Sequence, residues 1–123
     1  MPDQIPAKAT GWQRIVNAAG YSLKGLASTY RTEAAFRQEL WLLAAAVPLA
    51  LWLGETALET VLLISSLLLV LIVELLNSAL ESIVDRIGPE FHHLSGKAKD
   101  QGSAAVLIAL ILAGMVWLTI LVN

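Results

Sequence analysis

TALETVLLISSLLLVLIVELL, residues 56–76, carries charge only at Glu59 and Glu74 and is otherwise apolar apart from a few hydroxyls. A helix needs about 20 predominantly apolar residues to cross the hydrocarbon of a bilayer, and this run has that length. SAAVLIALILAGMVWLTILV, residues 103–122, holds no charge and reads the same way. LWLLAAAVPLALWL, residues 40–53, is only about 14 residues long, a length that also fits a buried or re-entrant segment, and Pro48 lies inside it. The composition agrees with a membrane protein. Of 123 residues 57% are hydrophobic and 15% charged, and mean hydropathy is +0.69; a soluble domain this small has too little interior for so many apolar side chains. Eight basic and ten acidic residues give a formal net charge of -2, without the basic stripe of a nucleic-acid binder. Cysteine is absent, which excludes disulfides, zinc–thiolate sites and thiol catalysis.

The basic residues decide in favour of a third span. Lys8, Arg14, Lys24, Arg31 and Arg37 precede the short run, and Arg86, Lys97 and Lys99 lie between the other two, while the connection GETALE carries only Glu55 and Glu59. If all three runs cross, every Lys and Arg falls on one side, so the N-terminus and second loop are expected in the cytoplasm and Asn123 outside. Trp41, Trp52 and Trp117 then stand near span ends, where indole rings favour the headgroups. The N-terminal twenty residues lack an apolar run followed by a small-residue cleavage site, so they are read as mature protein. Trp12, Ile15, Val16, Ala19, Leu23 and Leu26 recur at helical spacing, with Arg14, Asn17 and Lys24 off that stripe, which predicts an amphipathic surface helix. Gly88-Pro89 and Ser95-Gly96 read as breaks that leave Glu90 to Leu94 in a connector. The expectation is an all-α membrane protein of one domain, residues 1–123. It comprises a flexible N-terminus over 1–10, a surface-helix region over 11–38, and three spans with a cytoplasmic loop over 39–123.

Chemistry gathers where the second span ends. Glu74, Asn77, Glu81 and Asp85 follow at steps of three, four and four, which places them on one stripe of a helix. A carboxylate near hydrocarbon costs about 2.5 to 3.5 kcal/mol on insertion scales, so Glu74, behind the unbroken LLLVLIV, asks for a function. The ordinary alternatives are a frayed helix end among headgroups, an interhelical hydrogen-bonding patch, or pairing with Lys97, Lys99 or Arg37. Lys99, Asp100 and Ser103 open the third span on a shared face, although Asp100 there also suits the helix dipole. Before the first span, Glu33 and Arg37 are spaced as an i,i+4 ion pair and Glu39 stands at the membrane edge. Carboxylates, a lysine and an arginine at one interface beside lipid suit phosphoryl transfer to a lipid. That reaction asks for carboxylates to hold Mg²⁺, a cation for phosphates, and a base for the accepting hydroxyl.

Other nucleotide and metal motifs are missing. A P-loop ending at Gly96-Lys97 would need Gly where Phe91 stands and a hydroxyl residue where Ala98 stands. GxGxxG, HExxH and GxSxG do not occur, and the adjacent His92 and His93 are not an i,i+4 metal pair.

VELLNSALESIVDRIGPEFHHLSGKAKDQGSAAVLIAL, residues 73–110, closely resembles the signature of the prokaryotic integral-membrane diacylglycerol kinases, and GWQRIVNAAGYSLKGL (11–26) and TEAAFRQE (32–39) extend the likeness over nearly the whole chain. Its most specific part is E-x-x-N-x-x-x-E-x-x-x-D followed by A-K-D-x-G-S-A-A. The resemblance implies transfer of the γ-phosphoryl group of Mg-ATP to diacylglycerol, giving phosphatidic acid, in the bacterial inner membrane. It also implies a homotrimer with active sites shared between subunits. On matching positions it makes Glu74 the catalytic base, with Asn77 beside it, and Glu33 and Glu81 the ligands of Mg²⁺ that also meet ATP. Arg14, Tyr21, Asp85, Glu90, His92, Lys99 and Asp100 match nucleotide-proximal positions; Arg14, Glu39, Asn77 and Ser103 match positions near the lipid acceptor. Leu23, Thr60 and Pro89 stand where enteric members have Trp, Arg and Ser. The alternatives are an undecaprenol kinase of the related branch, or a non-enzymatic membrane trimer in which Glu74 and Glu81 relay ions.

Overall fold

A computed structural model describes residues 7–88 and 92–123, and every secondary-structure element in them is an α-helix. α1 runs Gly11–Thr32, α2 Ala34–Leu53, α3 Ala57–Ile87 and α4 His93–Val122. α2, α3 and α4 are each long and apolar enough to cross a membrane. The short run around Pro48 therefore belongs to a full spanning helix, because the chain is helical from Ala34 on and continues through the proline. At about 1.5 Å per residue its 20 residues match the roughly 30 Å hydrocarbon. α3 and α4, with 31 and 30 residues, are longer than a bilayer needs. Their polar excess is the stretch beyond Glu74 on α3 and the stretch ahead of Ser103 on α4.

Three boundaries differ from the sequence expectation. The region expected as surface helix over 11–38 divides at Glu33, whose extended backbone (φ -116°, ψ 107°) ends α1 and starts α2. Residues 34–38 thus belong to the first spanning helix. The Arg37 guanidinium consolidates this corner by donating to the carbonyls of Tyr30 (2.8 Å) and Arg31 (3.1 Å) at the end of α1, acceptors that have no partner within their own helix. At the other end of the bundle, α4 starts ten residues ahead of the expected span, at His93. His92 caps it by accepting the Leu94 N–H on Nδ1 (3.1 Å), and the Gly96 N–H closes the first turn on the His92 carbonyl (3.0 Å). The expected break at Ser95-Gly96 is therefore helical, and the connector is shorter than Glu90 to Leu94. Pro89 and Glu90 lie outside the described residues, as does the N-terminus before Ala7.

α3 and α4 pack antiparallel, and the register is fixed at several levels. Near one end the Trp117 indole Nε1–H donates to the Leu63 carbonyl (3.1 Å). Val70 then meets Ala109 and Ala113, with Leu67 and Val73 beside them, and further along Asn77 lies against Gly102. Small residues at the contact let the backbones approach, which is how spanning helices gain dispersion energy where lipid offers no hydrophobic driving force. Trp117 stands near the end of its span as expected, and its N–H is used by a neighbouring helix there. α2 joins α3 through the turn at Gly54, where Thr56 Oγ1 caps α3 by accepting the Glu59 N–H (3.2 Å), so Glu59 sits in a first turn that favours negative charge.

α1 is one continuous helix through Gly20 and Gly25 and buries no residue. Trp12, Ile15, Val16, Leu23 and Leu26 are all exposed on it, as expected of a helix whose apolar face lies on lipid. An open apolar groove of about 450 Å³ runs between α2, α3 and α4, lined by Leu42, Ala46, Leu49, Leu67, Leu110 and Trp117 among others.

Candidate active site

The polar stripe of α3 forms as its spacing predicts, and Glu74, Asn77 and Glu81 are all partly buried on it. Asn77 Nδ2 donates to Glu81 Oε1 at 3.2 Å, one turn further along. From the corner between α1 and α2, Glu33 reaches the same stripe, and its Oε1 accepts from Ser78 Oγ at 3.1 Å. The extended backbone at residue 33 makes this possible, because it turns the side chain off both helices and across to α3. Glu39, six residues into α2, has its carboxyl within hydrogen-bonding reach of the Glu74 carboxyl. Its Oε2 is buried and makes no hydrogen bond. Four carboxylates, from the α1–α2 corner, α2 and α3, thus line two turns of α3: Glu39 beside Glu74 nearer the apolar span, and further out Glu33 on Ser78, which stands three residues before Glu81.

The expected Glu33–Arg37 pairing does not form. Lys99 and Asp85 make the one ion pair among the described residues, since Glu33 is engaged by Ser78 and Arg37 by the α1 carbonyls. Lys99 Nζ lies 2.8 Å from Asp85 Oδ1 across the α3–α4 hairpin, with both side chains exposed. Asp100 is well inside α4 rather than in its first turn, so the helix dipole does not explain it. It is exposed next to Lys99. Ser103 is exposed as well and makes no side-chain hydrogen bond among the described residues; the close approach to α3 falls on Gly102. Arg14 and Tyr21 stay on the exposed α1, without a hydrogen bond to the stripe. His92 caps α4, and Glu90 lies outside the described residues.

Sequence reasoning missed Ser78 and Gly102. Ser78 stands four residues after Glu74 and reads as helix filler until Glu33 is seen to reach it. Gly102 sits within a small-residue run that promises close packing in general, but nothing in it singles out Asn77 as the partner.

No group of three or more metal-ligating side chains occurs among the described residues. The arrangement offers four carboxylates along one stripe, two of them side by side at Glu39 and Glu74, an exposed lysine, and an apolar groove between α2, α3 and α4. A profile of the family described as prokaryotic diacylglycerol kinase matches residues 20–121. This chain belongs to the prokaryotic diacylglycerol kinase family. The diacylglycerol kinase of Escherichia coli K12 is 59% identical over 112 residues, which cover 91% of this chain and 92% of that protein. The diacylglycerol kinase of Haemophilus influenzae is 56% identical over 110 residues, 89% of this chain and 93% of that one. That of Pseudomonas aeruginosa is 50% identical over 114 residues, 93% of each chain. The match includes the residue-33 corner, the α3 stripe and the start of α4, so the site is embedded in what makes this chain a diacylglycerol kinase family member.

Proposed function

We propose that this chain transfers the γ-phosphoryl group of Mg-ATP to the free hydroxyl of diacylglycerol, giving phosphatidic acid and ADP, on the cytoplasmic side of a bacterial inner membrane. The observation that carries this reading is that Glu33 and Glu39 are brought from the preceding elements onto the α3 stripe of Glu74 and Glu81, where the helix leaves its apolar run. A water-soluble nucleotide and a membrane-bound alcohol have to meet at that level.

In this reading Glu74 takes the proton from the hydroxyl as its oxygen attacks the γ-phosphorus. The new O–P bond forms as the bond from the γ-phosphorus to the β,γ-bridging oxygen breaks, and that oxygen leaves with ADP. Glu39, touching Glu74 from α2, orients the acceptor, and Asn77, Ser103 and Arg14 stand nearest its glycerol end. Glu33 and Glu81 suit a Mg²⁺ ion, being carboxylates from different elements, Glu33 of the α1–α2 corner held on Ser78 and Glu81 three residues further along α3. Two are enough, because magnesium commonly takes one or two protein carboxylates with phosphate oxygens and water. When bound, that ion neutralises charge on the β- and γ-phosphates. Lys99 gives up Asp85 for a phosphate, and Asp100, Asp85, Tyr21, Glu90 and His92 complete the nucleotide's surroundings. The placement of every Lys and Arg supports a cytoplasmic N-terminus and site. A homotrimer suits the open groove and the exposed site, since three spans alone do not wall it from lipid.

Transfer of labelled γ-phosphate in detergent micelles, with diacylglycerol and undecaprenol offered separately, tests the reading. Labelled phosphatidic acid that vanishes with Glu74→Gln is the expected result. Labelled undecaprenyl phosphate alone would move the chain to the sister activity, and no product with either lipid would overturn the kinase reading.

A further inference from the structure

We infer that Gly102 is a positioning residue for the reaction: it seats the Asn77 carboxamide and, through it, aims the Glu81 carboxylate. A Cβ built on Gly102 would overlap Asn77 Oδ1 and lie 3.2 Å from Asn77 Cγ and 3.6 Å from Leu80 Cδ2. The amide oxygen thus occupies the space that any other residue's side chain would fill. That oxygen is buried and has no hydrogen-bond donor, so its place is set by shape, with the Gly102 Cα–H groups as its neighbours. With Oδ1 held there, Nδ2 faces along α3 and donates to Glu81 Oε1 at 3.2 Å. One Glu81 oxygen is thereby engaged while the other stays available. The start of α4 thus sets a side chain on α3, and Glu81 is oriented by a residue with no side chain of its own.

Gly102→Ala separates this role from folding. Helix propensity favours Ala within α4, and the atoms in its way belong to the Asn77 side chain rather than to backbone, so the expected relief is rotation of that carboxamide. The amide then leaves Glu81.

The experiment uses the full chain in micelles and measures two things: the affinity for Mg²⁺ with a non-hydrolysable ATP analogue by calorimetry, and kcat/KM for phosphoryl transfer. Gly102→Ala is expected to unfold at the wild-type temperature or above, to bind the magnesium–nucleotide about tenfold more weakly, and to lose about tenfold in kcat/KM. In an Asn77→Ala background the same substitution is expected to cost less than about twofold further, because the group it displaces is gone. Wild-type affinity and kcat/KM in Gly102→Ala would overturn the proposal, and so would an undiminished loss in the Asn77→Ala background, which would mark generic helix packing. Should Gly102→Ala not fold, Asn77→Asp keeps the shape but turns the donor into a carboxylate facing Glu81. It is expected to lose at least as much affinity, and wild-type affinity there would refute the amide's role. The inference rests on Glu81 belonging to the site. Glu81→Gln with unchanged magnesium–nucleotide affinity would remove the metal-ligand reading, whereas the coupling of Gly102 to Asn77 in kcat/KM is scored independently of it.

Discussion

Glu74 and Glu81 lie two helical turns apart on the same stripe yet have different neighbours, Glu39 beside the one and the Asn77 amide on the other. Their substitution is therefore expected to have different signatures. Glu74→Gln removes a proton acceptor and should lower kcat by roughly 10²- to 10⁴-fold while magnesium–nucleotide binding largely survives. Glu81→Gln should weaken that binding; calorimetry against turnover separates the two, and equal loss of binding in both would sink the division of roles. Ser78→Ala takes one hydrogen bond from Glu33, a loss worth about 0.5 to 1.5 kcal/mol. It should raise the Mg²⁺ concentration for half-maximal activity several-fold, which a magnesium titration reads directly. The stripe itself was legible from the spacing of Glu74, Asn77, Glu81 and Asp85, because helical periodicity depends on local sequence alone. That Glu33 joins it was not, since the two residues that meet, Glu33 and Ser78, are 45 positions apart.

Among the elements, the α2–α3 turn and the α3–α4 seam hold the site in place by different means. A Cβ on Gly54 would overlap Thr60 Oγ1 and lie 2.9 Å from the Thr60 amide nitrogen and 3.0 Å from the Ala50 carbonyl oxygen. Backbone does not yield as a side-chain tip does, so Gly54→Ala is expected to destabilise the bundle by about 1 to 3 kcal/mol, measured as a lower unfolding midpoint in micelles. The obstacle is close packing rather than backbone conformation, since Gly54 has an ordinary φ of -68°. Trp117→Phe removes the indole N–H from the Leu63 carbonyl. Interhelical hydrogen bonds in membranes average about 0.6 kcal/mol, so a small fall in the midpoint with unchanged kcat is the expected outcome. Helix ends were the least legible feature. The start of α4 depends on His92 Nδ1 capping its first turn, and the break at Glu33 on Arg37 gripping the α1 carbonyls.

For the molecule as a whole, the exposed apolar faces and the narrow core of Val70, Ala109 and Ala113 describe a chain that leaves most of its apolar surface for lipid or for other helices to cover. The proposed trimer with shared sites predicts that inactive Glu74→Gln subunits mixed with inactive Glu33→Gln subunits recover activity in micelles; no recovery would mean that each site is built from one chain, in which Glu33 already reaches Ser78. The sequence by itself determined the membrane class, the three spans, the helical surface segment and the α3 stripe, because hydropathy, charge placement and helical period act over short distances along the chain. Only the tertiary structure decided which of those residues touch: Glu39 with Glu74, Ser78 with Glu33, Lys99 with Asp85, and Gly102 with Asn77. The physical reason is register. How far α4 is displaced along α3 is set by the summed packing of small residues along the whole seam, and no local pattern in the sequence encodes that displacement.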